Sequence, residues 1–361
     1  MKVALVHDWL NTLGGAERVL IELHHIFPDA PIYTIFYDKK FKAEYLPEAE
    51  IRPSYLQKLP FINKHYKYAA LLMPSAIESF DLADFDTVIS SSAFFSKGLV
   101  LRPKTRHICY CYSPTRQLWD RHFEYAKMGF LTGLSQHLLR IWDRQAADRV
   151  DEFVAISETV RSRIQKYYKK DAKVIYPPVP ELPEGSSERP MKEEYYLIVS
   201  RLFPHKNIDV AIDAFNKLGH NLVIIGDGPE YANYKAQIAK CEAKNIKLLG
   251  RLDDNSIATY YRHAKAFVMP QEEDFGLTPI EAMRFGVPTL ALRKGGALET
   301  LREGVTGEFF DDPIPEALAD GVRRLNDNYQ NYRADIIKSN SDNFSKEIFR
   351  KKILELISGK D

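Results

Sequence analysis

Cysteine is scarce in this chain: Cys109, Cys111 and Cys241 are the only three among 361 residues. Three scattered thiols exclude a disulfide-built scaffold and a cysteine-ligated zinc cluster. Cys109 and Cys111 alternate with Tyr110 and Tyr112 in a strand-like run, which reads as two buried thiols rather than a redox pair. No apolar stretch approaches the roughly 18 residues of a membrane span. The opening MKVALVHDWL carries an apolar run too short for a secretory signal. Net charge is nearly absent as well, at +1, which argues against a protein that neutralises a long track of nucleic-acid phosphates. Neither the GxGxxG dinucleotide fingerprint nor the GxxxxGK(S/T) phosphate loop occurs.

What is present fits a globular protein. A hydrophobic share of 45% beside a charged share of 27% excludes disordered and fibrous classes. The length exceeds what one core usually fills, so two domains are expected. Charge is distributed unevenly. Residues 1–175 hold 25 Lys plus Arg against 20 Asp plus Glu, a balance of +5, and the remainder holds 25 against 29, a balance of −4. The positive half is the better candidate to meet an anionic acceptor or surface.

Short β-rich runs alternate with longer helical patterns. Strands are predicted at Val3 to His7, Ile32 to Phe36, Thr87 to Ser90, His107 to Tyr110, Arg149 to Ala155 and Lys173 to Tyr176, with helices such as Ala16 to Ile26 and Ser157 to Tyr168. Ser157 ahead of Glu158 reads as a helix cap. The strands are continuously apolar, which favours parallel sheets covered on both faces. The segment PPVPELPEGSSERPM, residues 177–191, breaks the pattern and reads as a linker. A second series follows, with strands at Tyr195 to Ser200, Asn221 to Ile225, Ile246 to Leu249, Ala266 to Met269 and Thr289 to Leu292. The expected organisation is an N-terminal α/β domain over 1–178, a linker over 179–194 and a second α/β domain over 195–344. A last helix over 345–361 packs on the second domain or back across the first.

Several clusters sit where strands end, the edge at which such sheets bind ligands. Gly14 and Gly15 follow the first strand and open a helix, so backbone amides there can approach a phosphate; a plain tight turn needs the same glycines. Arg201 and Lys206 close the first strand of the second half and supply the charges a diphosphate needs when no metal is present. Gly226 lies in the sharp turn Gly226-Asp227-Gly228-Pro229. The run Pro270-Gln271-Glu272-Glu273-Asp274-Phe275-Gly276-Leu277-Thr278-Pro279-Ile280-Glu281 carries a strand into an acidic loop, a glycine and a helix. Thr278 is expected to cap that helix, with Pro279 in its first turn. Amides of Phe275, Gly276 and Leu277 would then meet an anion, while Glu273 and Glu281 are suited to hydroxyl pairs on a sugar or ribose. Tyr112, Ser113, Arg116 and Trp119, with His7 and Asp8 after the first strand, offer aromatic and polar groups to a sugar. Asp84 and Asp86 precede a strand, at the wrong end for a metal site, and no metal is assigned. Residues 57–73 mix Lys58, Lys64, His65 and Lys67 with large apolar side chains, the composition of a segment lying on an anionic membrane interface or folded against its own domain.

Taken in order, Gly14-Gly15, Arg201 with Lys206, Gly226-Asp227-Gly228-Pro229, Glu273 with Glu281, and Gly295-Gly296 with Glu299 resemble the retaining glycosyltransferases of family 4, which have the GT-B architecture. The runs HDWLNTLGGAERV and YCYSPTRQLWD further resemble bacterial mannosyltransferases of O-antigen and exopolysaccharide assembly. The resemblance implies two Rossmann-like parallel-sheet domains facing across a cleft. It also implies retaining transfer of a sugar, mannose above others, from a nucleotide-diphosphate sugar such as GDP-mannose to a glycan or polyprenyl-linked acceptor. Within it Gly15 approaches the diphosphate, Arg201 and Lys206 neutralise it, and Glu273 holds sugar hydroxyls. Glu281 takes the ribose, and the base sits near Gly250 and Arg251. Members need no metal or other cofactor. Many place a histidine in the loop after the Cys109–Cys111 strand, where this chain has Tyr112, Ser113 and Pro114; Ser113 or a backbone carbonyl would substitute. The expected location is the cytoplasm, with peripheral contact at the inner face of the cell membrane. A nucleotide-sugar epimerase or phosphorylase, and a non-catalytic carbohydrate-binding protein, are the competing readings.

Overall fold

The computed structural model describes residues 1–125 and 129–359, and the chain divides into two compact units. The first comprises Met1–Pro178 together with Phe349–Asp361, the second Val179–Ile348.

The first unit is built on seven strands, among the described residues: β1 (Val3–His7), β2 (Ile32–Thr34), β3 (Ile51–Pro53), β4 (Thr87–Ser92), β5 (Arg106–Cys111), β6 (Glu152–Ala155) and β7 (Ala172–Val174). Their order is β3-β2-β1-β4-β5-β6-β7, and every pairing is parallel. All six residues of β4 are buried, as a strand covered on both faces requires. The predicted strand Arg149 to Ala155 begins later, at Glu152, because the helix Phe130–Asp148 runs on to its start. Ser157 caps the helix Glu158–Tyr168 by accepting from the Val160 amide at 3.1 Å.

The second unit carries six strands: β8 (Tyr196–Val199), β9 (Leu222–Ile225), β10 (Ile246–Gly250), β11 (Ala266–Met269), β12 (Thr289–Leu292) and β13 (Gly307–Phe310). The order is β10-β9-β8-β11-β12-β13, again parallel throughout. Its helices pack on both faces, with Ile212, Phe215 and Leu318 in one core and Tyr261, Met283 and Ile337 in the other.

Strands β3 and β13 were not expected. Each lies at a sheet edge. β3 has three residues and ends in Pro53, a residue tolerated only at edges. β13, Gly307–Phe310, opens on a glycine and a glutamate, so only Phe309 and Phe310 carry an apolar strand signal.

Residues 179–194 form no free linker; they belong to the second unit. Leu182 and Met191, partly buried, pack against its core, and the Ser186 amide donates to Thr259 Oγ1 at 2.8 Å. Partly buried apolar anchors and satisfied backbone groups tie this proline-rich stretch down. The last helix, Lys346–Ser358, belongs to the first unit from Phe349 onward. There the Phe349 ring meets Tyr110 edge-on at 5.7 Å, and Arg106 donates to the Leu356 and Ile357 carbonyls.

Candidate functional site

A parallel sheet presents the carboxyl ends of all its strands on one edge, and a crevice opens where the strand order reverses. In the second unit the reversal falls between β8 and β11, which are neighbours in the sheet but far apart in the chain. Arg201 and Lys206 follow β8; Gln271 to Gly276 follow β11. The fold therefore brings together two groups that the sequence holds 67 residues apart.

Lys206 ends a short 3-10 turn, Pro204–Lys206, and is 6% exposed. Its ammonium forms an ion pair with Glu273. Gln271 Nε2 donates to the same Glu273 oxygen at 2.9 Å, and Asn207 Nδ2 ties the two loops by donating to the Pro270 carbonyl at 3.0 Å. Burial works to raise the Glu273 carboxyl, but Lys206, Gln271 and, more weakly, Arg201 outweigh it and hold the pKa below its ordinary value. Glu273 is thus a fixed anion with one oxygen engaged by both donors. Arg201 is exposed, its guanidinium over the Phe203 ring at 5.7 Å.

The Glu273 loop is held from the side by β12's turn. Gly296 donates its amide to the Glu273 carbonyl at 2.9 Å. Gly295 has φ +64, and a Cβ there would stand 2.2 Å from the same carbonyl oxygen. Farther along, the helix Leu277–Arg284 starts from Gly276 at φ 90, with no side-chain cap. Thr278 is therefore not the cap; it is the second helical residue, because the left-handed turn at Gly276 already begins the helix. Phe275 is buried against Phe344 at 5.5 Å, which anchors the turn. Glu281 accepts from the buried Tyr261 hydroxyl at 2.9 Å. Burial, with that carboxylate alongside, pushes the phenol's pKa well up.

Gly226 needs its glycine for a local reason: φ is +145 and a Cβ would lie 1.8 Å from the Ser200 carbonyl oxygen. It brings β9's turn against the start of the Arg201 loop, and the Leu202 amide donates to Asp227 at 2.9 Å. Gly250 ends β10, and Arg251 beside it is exposed. Arg201, Gly226, Gly250, Arg251 and Glu273 thus all sit at carboxyl ends of one sheet.

In the first unit the reversal lies between β1 and β4. His7 Nδ1 meets Ser91 Oγ at 3.0 Å, and Ser91 meets the Tyr112 hydroxyl at 2.7 Å. That hydroxyl lies 2.9 Å from the Ala16 carbonyl oxygen and donates to it. Glu17 accepts from the Gly14 amide at 2.8 Å and reaches His7 Nε2 at 3.5 Å. The start of the helix Gly15–Ile26 is so fixed from two sides.

Asp8 is engaged by the backbone. Its carboxylate accepts four backbone N–H groups, from Ala93, Phe94, Phe95 and Ser96, at 2.6–2.9 Å. All four hold the loop after β4. Trp119 is likewise committed: its indole donates to Asp143 at 2.8 Å and its ring stacks on Tyr167 at 5.0 Å. Ser113 is buried with Arg163 donating to it at 3.4 Å, and Arg116 pairs with Asp120 at 3.0 Å. Behind this loop Asp143 also accepts from Thr115 and Tyr168, each at 2.8 Å, and pairs with the buried Lys97 at 2.6 Å. Burial would lower the Lys97 pKa; the Asp143 charge outweighs it, and the ammonium sits above its usual value.

Sequence reasoning missed Glu17, Ser91, Gln271, and the Lys97–Asp143 pair. Glu17 carried a signal, since Gly14 and Glu17 have the three-residue spacing of a capping box. Lys97 and Asp143 carried none, because only the fold brings them together. Asp86 accepts from the Lys2 amide at 2.8 Å, at the start of a strand. Among the described residues no group of three or more His, Cys, Asp or Glu side chains is placed to hold a metal ion.

Two family models match, "Glycosyltransferase Family 4" over residues 13–181 and "Glycosyl transferases group 1" over residues 183–342. An uncharacterized glycosyltransferase from Methanocaldococcus jannaschii is 27% identical over 213 residues, 58% of this chain and 58% of its own length. The alpha-1,3/1,6-mannosyltransferase ALG2 of Kluyveromyces lactis is 25% identical, covering 83% of this chain and 71% of its own. The O-antigen chain mannosyltransferase RfbU of Salmonella typhimurium is 28% identical over 56% of this chain and 62% of its own. Among solved structures, HepE from Anabaena in complex with UDP-glucose superposes with TM-score 0.71 at 18% identity, over 99% of this chain and 100% of that one. WaaG, a glycosyltransferase involved in lipopolysaccharide biosynthesis, gives TM-score 0.70 at 16% identity, over 99% and 100%. With these two domains joined in this order and the fold matched end to end, the chain belongs to the GT-B glycosyltransferases that combine a Family 4 domain with a group 1 domain.

Proposed function

We propose that this protein transfers a hexose, mannose above others, from a nucleotide-diphosphate sugar to a glycan or lipid-linked glycan, with retention at the anomeric carbon and without a metal. The observation that carries the reading is the Lys206–Glu273 pair at the switch point of the second sheet. A fixed cation there would offset the charge a leaving diphosphate gathers, and a fixed anion beside it suits sugar hydroxyls. Mannose is supported by the relatives that carry mannosyltransferase names.

In the reaction, the acceptor hydroxyl attacks the anomeric carbon on the face the nucleotide leaves. The bond from that carbon to the diphosphate oxygen breaks, the new glycosidic bond forms, and the hydroxyl proton passes to the departing phosphate. Arg201, Lys206 and the amides of Phe275, Gly276 and Leu277 stabilise the developing charge. Glu281 holds the ribose hydroxyls. Ser113 and Arg116 remain assigned to the acceptor side, with Tyr112 and His7 supporting the glycine loop. The reaction takes place in the cytoplasm.

A thermal-shift series with GDP, UDP and ADP and their sugars tests the donor. GDP and GDP-mannose are expected to raise the melting temperature most; a ligand at 100 times its Kd stabilises the native state by about 2.7 kcal/mol. A response to UDP alone would overturn the mannose reading, and none to any of them would overturn the donor site.

A further inference from the structure

Gln271, on the loop after β11, has a side chain that packing alone does not explain. It is 3% exposed, and its Nε2 donates to Glu273 Oε1 at 2.9 Å. A carboxylate only accepts, so the amide must turn its nitrogen to Glu273 and its oxygen away. That oxygen is enclosed and has no hydrogen-bond partner among the described residues. An unpaired buried carbonyl costs about 1–3 kcal/mol, and an apolar side chain of the same length would fill the position without that cost. Such a group points to a use beyond the fold. What the amide supplies there is one directed N–H.

Glu273 shows what that N–H does. Lys206 reaches the same oxygen from the loop after β8. An ammonium is a point charge that either carboxylate oxygen can satisfy, and the terminal torsion of a glutamate is broad. Lys206 by itself therefore leaves the plane of the carboxylate undecided. A second, directional donor on Oε1, arriving from another loop, fixes it. Oε2 receives no hydrogen bond from the described residues, and 26% of the Glu273 side chain stays open. One oxygen is tied into the protein, and the other is left as an acceptor.

We propose that Gln271 is a positioning residue for the donor sugar: by occupying Oε1 it holds Glu273 Oε2 in place as the acceptor for sugar hydroxyls. The proposal rests on the transferase reading, in which Glu273 takes those hydroxyls while Gly250, Arg251 and Glu281 meet the base and ribose. Gln271 then acts on the sugar part of the donor and leaves the nucleotide part alone.

Calorimetric titration of the full chain with GDP and GDP-mannose, and in parallel with UDP and UDP-glucose, tests the assignment; whichever pair binds carries the comparison. Gln271→Met keeps the length and removes the N–H. It is expected to weaken the nucleotide-sugar about tenfold, with the free nucleotide held within about twofold. The melting temperature should be equal or higher, because the unpaired carbonyl is gone. In a Glu273→Gln background the same change should weaken the sugar no further, since it acts through Glu273. Equal weakening of nucleotide and nucleotide-sugar, a lowered melting temperature with sugar affinity intact, or additive losses in the double variant would each overturn the proposal. If Glu273→Gln loses the sugar's share of affinity and Gln271→Met does not, the proposal fails while the transferase reading stands. Sugar affinity indifferent to Glu273→Gln would remove Glu273 from the sugar and Gln271 with it, and a wild type that binds neither nucleotide would overturn the donor site itself.

Discussion

Gly295 holds the Glu273 loop by having no side chain. The two backbones pair in a parallel bridge, and the position at 295 has both a left-handed φ and no room for a Cβ. Gly295→Ala is expected to displace Glu273 and with it the Lys206 ion pair. Turnover should fall about 100-fold with a stability loss of about 2 kcal/mol. Transfer rates beside a denaturant titration check both effects; a near-normal rate would detach this contact from the chemistry.

Lys206 and Glu273 act as a pair, so their substitutions should not add. Lys206→Ala and Glu273→Gln are each expected to lose about 100-fold in turnover, and the double variant little more. A double-mutant cycle on stability should return a coupling of about 1–3 kcal/mol. Additive losses would show two independent groups.

Arg201 offers a cleaner probe, because it is exposed. Arg201→Ala is expected to melt within a degree or two of the wild type. It should nonetheless lose about 3 kcal/mol of transition-state stabilisation, appearing chiefly in kcat. Steady-state kinetics settle it: unchanged kcat would remove Arg201 from the reaction.

Asp8→Asn should act on the fold. Each Asp8 oxygen accepts two amides, and an amide nitrogen placed there would face two donors. A loss of about 3 kcal/mol is expected in urea unfolding. A variant of normal stability would mean the four contacts contribute little.

His107 gives the pH dependence. Its ring is buried with Nε2 2.9 Å from Ser90 Oγ, and burial lowers its pKa from 6.5 to about 4. The folded state therefore resists a proton that the unfolded chain accepts. Stability is complete above 6.5 and declines as pH falls from there towards about 4, by about 3 kcal/mol. Glu273, lowered rather than raised, adds its loss further down, below the ordinary carboxylate range. Unfolding titrations of wild type and His107→Gln at steps between neutral pH and pH 4 should diverge in slope; parallel curves would exclude His107 as the cause.

Much of this protein is local and was therefore readable along the chain. Continuous apolar runs such as Ala266 to Met269 became buried parallel strands, because a strand covered on both faces has no polar alternation to hide it. Ser157 capped its helix, since a cap needs only residues within one turn. Strand order followed less directly. The edge strand β3 escaped notice because three residues ending in proline carry no periodic signal.

What the residues at strand ends do to one another was decided by tertiary structure alone. Sequence marked Lys206 and Glu273 separately, as a cation and an acid in loops; only the switch point between β8 and β11 made them an ion pair. Sequence marked Asp8 and Trp119 only as polar and aromatic groups after strands; packing alone gave Asp8 its four amide donors and Trp119 its bond to Asp143. The reason is the range of the forces. Backbone propensity and apolar patterning act over a few residues, whereas a hydrogen bond or ion pair depends on an angle and a separation that only the assembled sheet defines.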